Sequence, residues 1–329
     1  MSRQPQAQFD GPKSGHGHSG GHFPHPTRTS DTLIFVPTYN ERDNIESLLD
    51  SVLALPVRCD VLVVDDCSKD GTLEILATRV KADRRIGVIV RPGKLGIGSA
   101  HKLGWLHARR LGYKRLVSLD GDLSHDPNDV PRLLAILDAG ADVAIGSRFV
   151  QGGKLDYRGW RLFLSRSANI MAWLLLRLPL AEYTTSFRAV RLDRVPPGLI
   201  EAIENHGYGF FLICATRLAR QRLALTEVPI HFRDRYGGKS KIPRLELVRG
   251  VINLLSLAIW RRPIKPPLLP QGADSECPSC GQAYRVPVAA GELCCLVCFD
   301  TGSAVACENE SRIGMPALSR GGVSTFDRG

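Results

Sequence analysis

A chain of 329 residues, 43% hydrophobic and 23% charged, can bury a sizeable core with room for a smaller unit, which excludes a disordered or fibrous class. Its 43 Lys and Arg against 33 Asp and Glu leave a formal charge of +10, suited to an anionic partner: nucleotide, phosphate, nucleic acid or membrane surface. No stretch approaches the ~20 apolar residues that span a bilayer, and residues 1–30 lack the apolar region of a secretory signal, so a cytoplasmic, membrane-peripheral protein is expected.

Residues 1–30, rich in Gly, Pro, His, Ser and Gln, are expected to form a disordered tail. Thr32–Val36 is a short β-rich run that Pro37 is expected to end, and Asn44–Leu55 sets Ile45, Leu48, Leu49, Val52 and Leu53 on one helical face. A second strand is expected at Asp60–Val64, a helix from Thr72, a third strand at Ile86–Val90 and a helix at Gly98–Leu111. Leu116–Leu119 and Asp142–Ile145 are expected as strands around a Pro127–Ala139 helix. This alternation predicts an α/β fold, a mostly parallel sheet with helices on both faces, which binds ligands at the carboxyl ends of its strands. Beyond it the pattern suggests a helix at Trp160–Leu178, a strand at Glu227–Phe232, a helix at Leu245–Trp260 and a proline-rich linker over 263–274.

The polar motifs fall at those strand ends. Asp120 and Asp122 follow the fourth strand one residue apart, so an extended backbone aims both the same way. Two carboxylates so close repel each other unless a cation lies between them, and Mg²⁺ or Mn²⁺ carrying a diphosphate is the natural one. A solvated acidic turn is the plain alternative. Val36–Glu41, Val64–Thr72, Arg91–Ala100 and Gly146–Arg148 end the other four strands, and each alone reads as a turn, a cap or a packing residue. Their convergence on one edge is harder to explain by folding alone.

The segments VPTYNERDNI, VLVVDDCSKDGT, RPGKLGIGSAHKLG, LDGDLSHDP, GSRFVQGG, TTSFRAVR and EVPIHFRDRYGGKSKI resemble, in order, the dolichol-phosphate (polyprenyl-phosphate) mannosyltransferases of inverting glycosyltransferase family 2. The likeness spans about Thr32 to Leu257 and implies a GT-A fold over residues 31–262. It assigns Pro37, Tyr39, Glu41, Val64, Asp66, Lys94 and Gly121 to the nucleotide sugar, and Asp120 and Asp122 to the metal and diphosphate. Arg148, Arg235 and Lys241 would surround the diphosphate and acceptor phosphate, with Arg166 and Arg188 also on the acceptor side. Three positions depart from the family pattern. Glu182 stands for an Asp, Ser124 for the Gln of some members, and Gly207–Ile213 lacks two polar residues, which bears on the sugar or acceptor more than on the reaction.

The implied reaction moves mannose from GDP-mannose to undecaprenyl or dolichyl phosphate at the cytoplasmic membrane face. The alternatives are a UDP-sugar (glucose) transferase to the same acceptors, or a non-catalytic glycosyltransferase-like binding module. Trp160–Leu178 and Leu245–Trp260 read as interfacial helices or, equally, as ordinary core helices; the chain leaves room for a membrane-protein partner, and no nucleic acid is expected. In the tail, Cys277, Cys280, Cys295 and Cys298 form two Cys-x₂-Cys pairs fourteen residues apart, with Cys294 an alternative to Cys295, a spacing that predicts a zinc ribbon over residues 275–307 with disordered sequence after it.

Overall fold

The computed structural model of the chain describes residues 25–200, 202–205, 207–234, 254, 255, 257, 285–288 and 292–295. The first half alternates strand and helix: β1 (Thr32–Thr38), α1 (Arg42–Leu53), β2 (Asp60–Asp65), α2 (Thr72–Ala82), β3 (Ile86–Val90), α3 (Ile97–Arg110), β4 (Arg115–Ser118), α4 (Val130–Asp138, entered through a 3-10 turn at Pro127–Asp129) and β5 (Val143–Ser147). After it come β6 (Lys154–Leu155), α5 (Trp160–Leu176), β7 (Arg188–Arg191), α6 (Gly209–Arg220), β8 (Leu225–Pro229) and β9 (His231–Phe232). A separate antiparallel hairpin joins β10 (Arg285–Val288) to β11 (Glu292–Cys295).

Seven strands form the main sheet in the order β3-β2-β1-β4-β7-β5-β8. Only β7 runs against the others, pairing antiparallel with β4 and β5. Strands β1 to β5 and β8 therefore all end on the same edge. One apolar layer, against α3 and α6, holds Leu33, Phe35, Leu62, Phe210 and Leu218; the other, against α1, α2 and α4, holds Ile34, Val36, Leu76 and Leu133. In α1 the residues Ile45, Leu48, Leu49 and Val52 are all fully buried, and each such side chain contributes roughly 1.5–3 kcal/mol relative to exposure.

Two expectations change. The strand does not end at Pro37: β1 continues to Thr38, with Pro37 opposite Val64 of β2. Phe35 faces β4, where its carbonyl accepts from the Leu119 N–H, so the missing N–H of Pro37 faces the same side, just past the last β1–β4 pair (Phe35 opposite Ser118). The expected Glu227–Phe232 strand is two, β8 in the main sheet and β9 paired with β6. β7 and α6 were not anticipated. The expected Leu245–Trp260 helix lies outside the described residues except at 254, 255 and 257, as does the start of the cysteine cluster. Among the described residues, no helix is long and apolar enough to cross a membrane.

Candidate active site

The loops after β1 and β2 are tied together by a saturated polar network. Asp65 accepts the Ser68 N–H (2.7 Å), the Ser68 hydroxyl (2.6 Å) and the Thr38 hydroxyl (2.9 Å). Asn40, in the left-handed region at φ 54°, donates its N–H to Ser68 Oγ (2.8 Å) and accepts from the Lys69 N–H (2.9 Å). Asp66 pairs with Arg91, a fully buried guanidinium that also reaches Ser99 Oγ (2.6 Å) and the Gly96 carbonyl (3.2 Å). Burial raises the Asp66 carboxyl above its ordinary range and Arg91 opposes that rise. Lys94 reaches across, with its Nζ 4.8 Å from the centroid of the Tyr39 ring.

The Asp120–Asp122 turn rests on this floor. A Cβ at Gly121 would lie 3.1 Å from Thr38 Cγ2 and 3.2 Å from the Pro37 carbonyl, so a side chain there would push the turn away from β1. Asp120 accepts from the Ser186 hydroxyl (2.7 Å), and Ser186 in turn offers its carbonyl to Ser118 Oγ (2.6 Å). Asp122 is 4% exposed and accepts from the Ser124 N–H (3.1 Å). His125 folds back beneath, its Nδ1 3.2 Å from the Asp120 backbone nitrogen. Burial holds the His125 pKa below its ordinary value despite the pull of Asp120 and Asp122.

Arg148, one residue past β5, is anchored bidentately to Glu182 (2.7 and 2.8 Å) and also donates to Tyr157 (2.8 Å) and Thr184 (3.0 Å). Burial works against both charges, but their mutual attraction prevails. It holds the Glu182 carboxyl below the usual carboxylate range and Arg148 more firmly protonated than usual, with Asp120 among the charges favouring the latter. Glu227 completes the frame by accepting the N–H groups of Ala181 (2.7 Å) and Glu182 (2.9 Å). Arg148 also lines an open groove of about 730 Å³ together with Arg166, Asn169, Ile170, Trp173 and Leu180.

The structure thus gathers Pro37, Tyr39, Glu41, Asp66, Lys94, Gly121, Asp120, Asp122 and Arg148 along one sheet edge, with Arg166 lining the same groove as Arg148. Two expected residues lie elsewhere. Val64 is fully buried within the apolar layer against α3, as the alternation of β2 requires. Arg188 is in the core, donating to the Tyr183 (2.9 Å) and Phe211 (3.0 Å) carbonyls, because its register opposite Ser118 and Ile145 puts its side chain on the face of the sheet that packs against α3 and α6. Arg235, Lys241, Cys277, Cys280 and Cys298 fall outside the described residues, and Cys295 closes β11 with its side chain undescribed. Residues that carry the geometry without having been anticipated include Arg91, Tyr157, Thr184, Ser186 and Glu227. Arg91 had a local signal, a cation directly after an apolar strand, and Thr184, Ser186 and Glu227 lie inside the family-like segments without a role assigned to them.

The acid pair offers oxygen donors only, which fits a hard divalent cation such as Mg²⁺ or Mn²⁺. Among the described residues no three His, Cys, Asp or Glu side chains converge. Two carboxylates with substrate phosphates and water completing the shell is the common arrangement for Mg²⁺.

The profile described as Glycosyl transferase family 2 matches residues 33–195. Polyprenol monophosphomannose synthase of Mycolicibacterium smegmatis is 38% identical over 216 residues, 65% of this chain and 82% of that protein. Undecaprenyl-phosphate mannosyltransferase of Micrococcus luteus is 37% identical over 223 residues, 68% of this chain and 91% of that protein. Among solved structures, glucosyl-3-phosphoglycerate synthase from Mycobacterium tuberculosis, in complex with Mn²⁺, UDP and phosphoglyceric acid, superposes with a TM-score of 0.50 at 23% identity. That alignment covers 69% of this chain and 78% of the other, a likeness of fold.

Proposed function

The chain belongs to glycosyl transferase family 2 and is a glycosyltransferase, and on that premise we propose that it transfers mannose from GDP-mannose to a polyprenyl phosphate, with inversion, at the cytoplasmic face of a membrane. The observation that carries this reading is the double position of Arg148. It lines the groove with Arg166 and exposed apolar side chains, and it lies within charge reach of Asp120. A donor diphosphate and a lipid phosphate can meet there.

In this reading Pro37, Tyr39, Glu41 and Asp66 border the base and ribose, while Lys94 and Gly121 border the diphosphate. A divalent ion on Asp120 and Asp122 would supply positive charge to the departing GDP. The acceptor phosphate is already ionised near neutral pH, so its oxygen can attack the anomeric carbon as the carbon–oxygen bond to GDP breaks, with no strong general base required. Arg148, immobilised by Glu182, presents a fixed cation to the phosphates, and Arg166, Arg235 and Lys241 would add further positive charge. The lipid chain would leave along α5, where Trp160 (68% exposed), Phe163 (60%), Ile170 (58%) and Trp173 (53%) face outward beside the groove. In the tail, Cys277, Cys280, Cys295 and Cys298 would hold one zinc, and elemental analysis of the full-length protein should find one equivalent; none would remove the ribbon.

The deciding experiment incubates the purified chain with Mg²⁺, undecaprenyl phosphate in detergent and radiolabelled GDP-mannose or UDP-glucose. Labelled lipid is expected from GDP-mannose. Transfer from UDP-glucose alone would overturn the donor, and binding of nucleotide without turnover from either would favour a non-catalytic module.

A further inference from the structure

The aim of the acid pair depends on a side chain to which the reaction above gives no part. His125 is 1% exposed and clamped between aromatic rings, stacked on Phe187 (centroids 4.9 Å, interplanar 29°) and edge-on to Phe232 (5.1 Å, 78°). Its Nδ1 sits 3.2 Å from the backbone nitrogen of Asp120. An amide N–H only donates, so Nδ1 must be bare and the ring proton must reside on Nε2. Nε2 is buried and has no hydrogen-bond partner among the described residues. Phenylalanine or leucine would fill this slot without burying that N–H, so packing alone does not account for an imidazole here. What the imidazole adds is one acceptor, spent on the Asp120 peptide.

We propose that His125 is a positioning residue that fixes the peptide unit entering Asp120 and thereby aims both carboxylates of the Asp120–Asp122 pair. The turn needs such a clamp. Between Asp122 and Ser124 the chain passes through Leu123 at φ 59°, a left-handed conformation that a leucine adopts only at a cost. The clamp also has a shared foundation. Ser186 holds an Asp120 oxygen directly, and its neighbour Phe187 holds the ring that holds the Asp120 N–H. Displacing the imidazole therefore rotates the carboxylate away from its Ser186 contact, not only the backbone. A group that orients a metal-binding carboxylate in this way typically alters metal affinity or rate by about ten- to a hundredfold.

The inference rests on the reading of Asp120 and Asp122 as a metal site, and its test separates the two. Asn places an amide oxygen near the Nδ1 position, whereas Gln places its amide near Nε2. In the full-length protein, titrated with Mn²⁺ in the presence of GDP and followed by electron paramagnetic resonance, His125→Asn should stay within about threefold of wild type, and His125→Gln should bind about tenfold or more weakly. Phe187→Leu, which keeps the acceptor and loosens its packing, should lower the melting temperature more than the Mn²⁺ affinity. Equal affinities for the Asn and Gln variants would overturn the proposal. Wild-type Mn²⁺ binding by Asp122→Asn would instead overturn the metal site itself. One readout needs no metal: long-range ¹H–¹⁵N spectra of histidine-labelled protein should find His125 as the Nε2–H tautomer, and an Nδ1–H tautomer would overturn the proposal outright.

Discussion

The two halves of the strand-end surface are built on opposite terms. After β1 and β2, nearly every polar group is satisfied within the protein: Asp65 takes three donors, Asp66 holds buried Arg91, and Asn40 bridges to Ser68 and Lys69. Beside α5, by contrast, large apolar side chains face outward near a groove lined by Arg148, itself held in a buried ion pair with Glu182. The first half is a preformed mould, where little ordering entropy remains to be lost when a nucleotide binds. The second is a surface whose apolar area is left in water, which costs free energy until something covers it. A donor that recurs in one form suits the mould; an acceptor with a long hydrocarbon chain suits the open surface.

Four perturbations test that contrast. The largest effect is expected at the junction: Asp122→Ala should reduce transfer by at least about a thousandfold with an unchanged circular dichroism spectrum. Residual activity near wild type would detach the acid pair from the chemistry. Next, Glu182→Gln leaves Arg148 buried without its counter-charge and should cost about 3–5 kcal/mol in denaturant unfolding. A change below about 1 kcal/mol would mean the pair is already hydrated. On the open side, replacing Trp160 and Phe163 together with Ser should weaken flotation with anionic liposomes about tenfold or more, while GDP binding and melting temperature stay put. Loss of GDP binding would erase the distinction between the halves.

Smallest near neutral pH, the fourth effect is graded with pH and belongs to the core beneath the mould. Burial, reinforced by Arg188 and Arg91, pushes His101 down to about 3. A depressed folded-state value means that the unfolded chain binds the extra proton, so this contribution is complete above pH ~6.5 and is lost as pH falls towards 3. Stability should therefore decline by up to about 1.4 kcal/mol per pH unit across that window, and His101→Phe should flatten the decline. Parallel pH curves for the two proteins would rule the residue out as its source.

Much of the mould was legible in the sequence because its signals are local. Ile86–Val90 emerges with the expected bounds, α2 starts at the expected Thr72, and the acid pair lies just past β4 as the apolar run implied. Glu182, Ser186 and Glu227 act across 34, 66 and 46 positions of sequence, and no periodicity encodes such pairings. The position of Arg188 was misjudged for a related reason. The family likeness puts Arg188 on the acceptor side, but whether its side chain faces groove or core depends on the register of β7 against β4 and β5, which leaves no trace in local pattern. Pro37 reads as a stop because it cannot donate to a ladder; on the β4 flank it is one, while on the β2 flank β1 continues to Thr38.

That proline has a geometric consequence. In a parallel pair the next rung after Leu119 N–H to Phe35 would be a donation from residue 37 to Leu119, and proline has nothing to give. β4 thus parts from β1 at a rung fixed by covalent counting, and Asp120 is the first residue beyond the break. The mouth of the site works as a zipper stop: sliding β4 further along β1 would gain no bond, so the depth of the cleft is gauged by a hydrogen atom that is not there.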